Sequence, residues 1–430
     1  MSEEYPALYA ARPAVFVNGE PQPDLANALQ SLVLEETTAG LARCRARFIN
    51  WGSGGERAGF VHFDSGLLAF GSQLSIEIGE GRAQAQVFEG RISAVEGRYA
   101  EGEPPAIEVY AEDRLESLRQ ARRTRLFEGA RTADVIDEIA GSHGLLVQAA
   151  LGGDDPVQAV IAQVDQTDLA FLRSLARRVQ ADLWLEGETL MVQARGAAGE
   201  NFTLTMGAEL RVFRVRADLS DQVTALGVAG WNSAGKAAIE ELATDAVIAT
   251  EVGNGLSGAA ILQVAFGSRE LWQGREVPLS EAEAQALAGA RFAERAHRFV
   301  TGVGTTAGDV RLRVGKSVNL QGLGSWFDGD YSIVAVRHTF ESEQGLATEF
   351  SVERTSLPQA AMSAYGKGIR GQKTASPGDK LGRIGREKLA RPGRERPDQA
   401  ETKIHNVLDE KRAAPDPSRT EQLKGSGEES

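Results

Sequence analysis

"ARCRARFIN" (Ala42–Asn50) carries the alternation on which the fold turns. Ala42, Cys44, Ala46 and Phe48 share one parity, Arg43, Arg45 and Arg47 the other, and the pattern gives out at Ile49. Successive side chains of a strand point to opposite faces, so this segment reads as a half-buried strand with one apolar and one basic face. The same period recurs at Leu74, Ile76 and Ile78 and at Ile107 and Val109. "AVFVNGE" (Ala14–Glu20) is a strand entering an Asn18-Gly19 hairpin turn. Strands of this kind, separated by turn residues, build a barrel or a sandwich. A first β-barrel is therefore expected over residues 1–113, completed by a stretch at about 205–235.

Residues 114–204 change character and read as a small α/β insert. In "RTADVIDEIAGSHGL" (Arg131–Leu145), Thr132 is placed to cap a helix with the stripe Val135, Ile136, Ile139 and Ala140, and Gly141 to stop it. In "DQTDLAFLRSLARRVQADLWLEGETLMV" (Asp165–Val192), Thr167 is placed as N-cap. Leu169, Leu172, Leu175, Ala176 and Val179 then fall at helical spacing, and a hairpin follows with its turn at Glu186–Glu188.

β character returns in "LRVFRVRADL" (Leu210–Leu219), whose alternation changes phase between Val212 and Phe213, as a bulge or strand end would. A second barrel is expected over 236–358. It is interrupted by one helix, "SEAEAQALAGARFAERAHRF" (Ser280–Phe299), with Ser280 and Glu283 as a capping-box pair. Residues 359–430 are rich in Pro, Gly and charge. With little apolar area to offset an ordering cost of about 1–2 kcal/mol per residue, they are expected to be disordered, with one short helix around Lys403–Lys411. The fold class is thus α+β and mainly β: two antiparallel barrels, an α/β insert and a polar tail.

Bulk properties fit this reading. The chain has 430 residues and 48 glycines, enough for two to four domains and more turns than a helical protein tolerates. A net charge of −13 leaves no global basic footprint for nucleic acid. Cys44 is the only cysteine, which excludes an internal disulfide and a cysteine-rich zinc site. "MSEEYPALYA" (Met1–Ala10) has no signal-peptide pattern and no apolar run reaches bilayer length, so synthesis in a cytoplasm without membrane insertion is expected.

Candidate chemistry reduces to bland readings. "VGKS" (Val314–Ser317) suggests a phosphate loop, but the earlier Gly would fall at Val310 and a strand follows, so it reads as a hairpin turn. His338 reads as a packed core histidine. His62, His143, His297 and His405 are scattered, with no metal spacing. Asp154 and Asp155 in "GGDDP", and Asp328 and Asp330 in "FDGDY", read as solvated loop acids rather than a general-acid pair. Cys44 sits mid-strand on the apolar face. The Asn201 glycosylation pattern reads as chance. The Arg43, Arg45, Arg47 face reads as a protein contact or lumen surface rather than a DNA site. Catalytic, metal and cofactor residues are accordingly expected to be none.

The order of segments nevertheless resembles a known family. "VFEGRISAVEG" (Val87–Gly97), "IEVYAEDRLESLR" (Ile107–Arg119) and "LFEGARTADVIDEIAGSHGL" (Leu126–Leu145) are similar to the phage late control gene D proteins. So are "QTDLAFLRSLARRVQADLWLEGETL" (Gln166–Leu190) and "VGKSVNLQGLGSWFDGDYSIVAVRHTF" (Val314–Phe340). That family includes the hub portion of the VgrG proteins of type VI secretion systems, and the similarity spans about Ala14–Arg354. It implies a structural baseplate hub of a contractile phage tail, not an enzyme: a homotrimeric ring of tail-tube-like barrels that joins the hexameric tail tube to a central spike. Implied partners are the tube protein, a spike on a separate polypeptide (the chain has no repetitive β-helix), and neighbouring baseplate and tape-measure proteins. Specific nucleic-acid binding is not implied. The hub of an extracellular contractile injection system or type VI-like machine is the alternative, and a tail-associated cell-wall hydrolase the remote one.

Overall fold

In the computed structural model, which describes residues 12–359 apart from 54–57, 64–65, 80–83, 152–153, 196–200, 234 and 275, Arg43–Ile49 is a strand near the middle of a 13-stranded sheet. Its neighbours are Leu29–Thr37 and Ala106–Glu112, both antiparallel. Beyond Ala106–Glu112 the sheet runs through Ala85–Arg98 and Gln73–Ile78 to Ala14–Val17. The apolar parity of each strand faces one core, where Phe48, Ala46, Val109, Leu74 and Ile76 are inaccessible to solvent.

On its other side Leu29–Thr37 pairs with the 13-residue strand Gly329–Glu341, and through it the sheet continues into the second half of the chain. This long strand changes partner midway. Residues from Gly329 to Ser332 pair with Ser317–Gln321, whereas Ala335 to Glu341 pair with Leu29–Thr37. The register against Gly345–Arg354 slips between Ile333 and Ala335 at that crossing, and the Val334 carbonyl accepts a hydrogen bond from Thr38 N at 3.0 Å. A bulge bends a strand and raises its twist, which lets one strand leave one barrel wall and enter another.

The two halves are therefore walls of one hydrogen-bonded sheet rather than two independently closed shells. In the second half, Leu210–Ala217, Val300–Thr306, Gly345–Arg354, Gly329–Glu341, Ser317–Gln321 and Asn201–Thr205 follow one another, and an isolated bridge between Met206 and Leu210 brings the two ends together. In the first half Pro23–Ala28, a short helix with Leu25 buried, packs between Ala14–Val17 and Arg43–Ile49. The stretch at 205–235 does not complete the first barrel as expected. Leu210–Ala217 pairs with Val300–Thr306, and Ala225–Asn232 joins Ala237–Ala243 and Glu270–Gln273 in a separate three-stranded sheet. Its phase change is a register shift between Leu210 and Val212, one residue earlier than the sequence indicates.

The insert has its own core, built from Val135, Ile136 and Ile139 of helix Thr132–Ser142 and Leu169, Leu172 and Leu175 of helix Asp168–Arg178. Thr167 caps the second helix by accepting from Ala170 N. The first departs from expectation at both ends. Thr132 is already helical and buried, and the Asp155 carboxylate accepts from Thr132 N and Ala133 N at 2.9 and 2.8 Å. Gly141 stays within the helix, and Gly144, at φ +69°, follows its end. The helix expected at 280–299 runs from Glu281 to His297 and packs through Phe292 on Leu226 and Val228 of the 225–243 sheet; it is not the single helix of that region, because Gly258–Phe266 is helical as well. Ser280 Oγ accepts from Glu283 N, while Glu283 reaches back to Leu279 N rather than to the Ser280 amide.

The insert is fastened to both halves. Leu183 N donates to Thr38 O, and Arg173 donates to the carbonyls of Ala39 and Gly40. Trp184 leaves the insert and packs into the second core, its ring against Gly315 at φ +77°. A Cβ at Gly315 would lie 2.2 Å from that ring. Gly315→Ala combines a left-handed backbone with overpacking and is expected to cost roughly 2–4 kcal/mol in chemical denaturation. Phe48→Asp and Val336→Asp would each bury an unpaired charge and are expected to abolish recovery of folded protein; soluble, cooperatively unfolding material from either variant would contradict the core described.

Candidate assembly surfaces

The outward parity of the large sheet carries charge, and its register pairs opposite signs across both halves. Glu349, Arg337, Glu35, Arg43, Glu112 and Arg91 are successive cross-strand partners on six strands. Within this row Arg337 lies 3.3 Å from Glu35 and Arg43 lies 3.5 Å from Glu112. Four residues along, Glu108 is almost fully buried and accepts from Arg47 Nε at 2.8 Å, with Arg45 at 3.3 Å. Arg119 also pairs with Glu112. Only Arg337–Glu35 is exposed on both sides, a kind of pair worth about 0–1 kcal/mol, whereas the other pairs set partly exposed guanidinium groups on buried carboxylates. The row's physical consequence is a polar surface with nearly balanced charge running unbroken over both halves. The basic face read at Arg43, Arg45 and Arg47 is thus largely neutralised by carboxylates far away in sequence, which removes the basis for binding a phosphate backbone.

The remaining sequence candidates are dispersed. His338 is buried and hydrogen-bonded to Thr348 Oγ1 at 2.8 Å, and burial, with Arg313 adding to it, pushes its imidazole down to about 3. Cys44 is buried and burial raises its thiol well above the usual range. The Lys316 region is a turn followed by the strand Ser317–Gln321. His62 donates its backbone N–H to Asn50, and His297 bonds the Ala293 carbonyl through Nδ1 while its Nε2 lies 2.8 Å from Glu251. Asp328 accepts from Leu323 N, and Asp330 from Asn201 and Asn319, so these acids, like Asp155, organise turns and caps instead of being merely solvated. Asp154 is exposed. His405 and the expected disordered tail lie outside the described residues. Among the described residues no group of three or more His, Cys, Asp or Glu could hold a metal, and no helix is long and apolar enough to cross a membrane.

One constellation escaped the sequence. Asp168, the first residue of its helix, is buried and receives Arg125, Arg123 at 3.4 Å, Gln163 at 2.9 Å and His143 Nε2 at 2.9 Å; on the other side of His143, Nδ1 lies 3.5 Å from Ser117 Oγ. The order Ser–His–Asp invites a hydrolase reading. However, the Ser117 hydroxyl donates to the Arg114 carbonyl at 3.0 Å, and the Asp168 carboxylate is shared among two guanidinium groups and an amide rather than dedicated to the imidazole. The cluster is a clamp: it ties the strands Arg122–Ala130 and Gln158–Thr167 and both insert helices to one carboxylate. No spacing in the sequence marks it, because its members are drawn from residues 117 to 168.

Burial alone would push the Asp168 carboxyl up, but bonds from His143 and Gln163 and the adjacent Arg125 and Arg123 hold it below the usual range. A depressed carboxylate stabilises the fold above its unfolded value, about 3.9, and that stability is lost as pH falls through the folded value. Asp113 behaves oppositely, since burial raises it to about 6 despite bonds from Ala42 N and Leu115 N. Its stabilising effect is complete below the unfolded value and fades as pH rises toward 6. Asp168→Asn is expected to cost roughly 3–5 kcal/mol at pH 7, as breaking a buried pair does, and to flatten the acid limb of a stability–pH curve. Asp113→Asn is expected to flatten the same curve between pH 4 and 6; an unchanged profile would refute the assignment.

Two solved structures show the same fold. The 43 kDa tail protein of prophage MuSo2 from Shewanella oneidensis superposes with a TM-score of 0.59 at 14% identity, over 80% of this chain and 98% of that one. The tail protein from Neisseria meningitidis MC58 does so with a TM-score of 0.57 at 14% identity, over 80% of this chain and 96% of that one. At this identity the likeness is one of fold, and that fold is the mainly β, α+β arrangement read from the sequence. No curated protein sequence matches the chain. The family model that does match is not that of the late control gene D proteins: residues 12–342 fit the Alg8 N-terminal domain, and the chain belongs to that family.

Proposed function

We propose that this protein is a structural baseplate hub that forms a trimeric ring between a hexameric tail tube and a central spike, in a contractile phage tail or a related injection system. The observation that carries this reading is the single sheet that runs through two barrel walls. A chain holding two such modules supplies six to a trimer, which is what matching a hexameric tube to a threefold spike requires. The fold shared with two tail proteins, one of them from a prophage, supports it. Residues 1–113, and 300–357 together with the strands at 201–217, act as the tube-like modules, the α/β insert up to Ala194 braces them, and 359–430 serves as an attachment tail. The balanced charge row lines the lumen, where a surface without net charge holds neither nucleic acid nor a passing cargo by counterion release. The role is mechanical and involves no turnover.

Mixed with its tube and spike proteins, the purified chain is expected to give particles of three copies by mass photometry and a ring by electron microscopy. Monomer alone at micromolar concentration with both partners present would overturn the hub. Among the described residues, the Ser117–His143 contact is the one feature that favours hydrolysis. Zymography on peptidoglycan is expected to show no clearing, and clearing that Ser117→Ala removes would replace the structural reading with an enzymatic one.

A further inference from the structure

The small sheet of Ala225–Asn232, Ala237–Ala243 and Glu270–Gln273 buries one face under helix Glu281–His297 and leaves the other uncovered. The uncovered parity is apolar and aromatic. Trp231, Leu242 and Trp272 are each about half exposed, at 49%, 48% and 50%. Gly227 allows the Trp272 indole to lie against the backbone, since a Cβ there would come within 2.5 Å of the ring. One face of the indole is thereby fixed to the sheet and the other is presented outward.

The register orders this face in rows. Glu270 stands beside Ala225; the next row is Trp272, Gly227 and Leu242; then Ala229 and Glu240; then Trp231 and Ala238. Rows on one face of a sheet are roughly 7 Å apart, so an acidic row and an apolar row alternate twice over about 20 Å. No basic residue occupies an outward position, and neither Glu240 nor Glu270 forms an ion pair among the described residues. That is a departure from this chain's own habit, because outward Glu35, Glu108 and Glu112 of the large sheet all meet an arginine. The protein also stacks guanidinium groups on rings elsewhere: Arg354 lies 4.4 Å from the Tyr331 centroid and Arg311 4.8 Å from that of Phe202.

We propose that this face is a docking site for an extended, arginine-containing segment of a partner protein. In an extended chain, residues i and i+4 are roughly 13 Å apart, which matches the two-row offset of Glu270 and Glu240 along the strands; their offset across the sheet, two strand spacings or about 10 Å, is within reach of the two arginine side chains, and i+2 falls over the Trp272–Leu242 row. Cations at i and i+4 meet the two carboxylates, and an apolar or guanidinium group at i+2 packs on the indole. The site stands on this register alone and does not depend on the hub reading.

The probe is a fluorescein-labelled heptapeptide, Gly-Arg-Gly-Leu-Gly-Arg-Gly, titrated against the full chain by anisotropy, with a glutamine-for-arginine peptide as control. Saturable binding that weakens with salt and is lost with the glutamine peptide is expected. Trp272→Ala and Trp231→Ala should each weaken it about tenfold, the loss of one well-placed ring contact. The paired charge reversal Glu240→Lys/Glu270→Lys, on exposed positions, should abolish binding with an unchanged near-ultraviolet spectrum. No saturable binding, equal binding of the control peptide, or wild-type affinity in the charge-reversed variant would each overturn the proposal. So would concentration-dependent self-association, or binding to neutral phosphatidylcholine vesicles, lost in Trp272→Ala, since these assign the face to a second copy or to lipid.

Discussion

The architecture depends on the partner exchange of one strand at Val334. Up to Ser332 the strand Gly329–Glu341 belongs to the wall that includes Ser317–Gln321; from Ala335 it belongs to the wall that includes Leu29–Thr37. Backbone hydrogen bonds do not tolerate gaps in a buried sheet, so the crossing must satisfy every group it passes. The bulge at Val334, with its carbonyl bonded to Thr38 N, does this. It also fixes the relative phase of the two halves: His338 and Phe340 join Leu34 and Leu32 in the first core while Ile333 and Val336 face the second. Two barrel walls built this way cannot rotate independently.

The insert adds a second constraint at the same crossing. Thr38, Ala39 and Gly40, immediately after the Leu29–Thr37 strand, accept from Leu183 and Arg173, while Trp184 reaches into the other half. Arg178, Glu276 and Arg291 bridge the insert helix to helix Glu281–His297. These ion groups are partly exposed and add little net stability, but they tie the two helices to one shared carboxylate. The Asp168 clamp works likewise inside the insert.

Much of this was legible locally. Strand identity at Arg43–Ile49, the helix caps at Thr167 and Ser280, and the packed histidine at His338 follow from side-chain period and from hydrogen bonds within a few residues. What was misread involves partners from elsewhere. Thr132 looks like a cap until Asp155 arrives to take the amides. The 205–235 stretch looks like the missing wall of the first barrel because a strand's own pattern does not name its neighbour. Asp168, the first residue of its helix, carries no local mark of the two arginines, amide and imidazole that converge on it.

The sequence by itself determined which face of each strand is apolar, where helices Asp168–Arg178 and Glu281–His297 begin, and that the chain is mainly β, because these depend on a period of two or about 3.6 residues and on short-range capping. Tertiary structure alone decided which strands are neighbours, and therefore that Arg43 meets Glu112, that one sheet spans both halves, and that Trp231, Trp272, Glu240 and Glu270 fall on one uncovered face. Register is a property of two chains of backbone brought together, and no single segment encodes it.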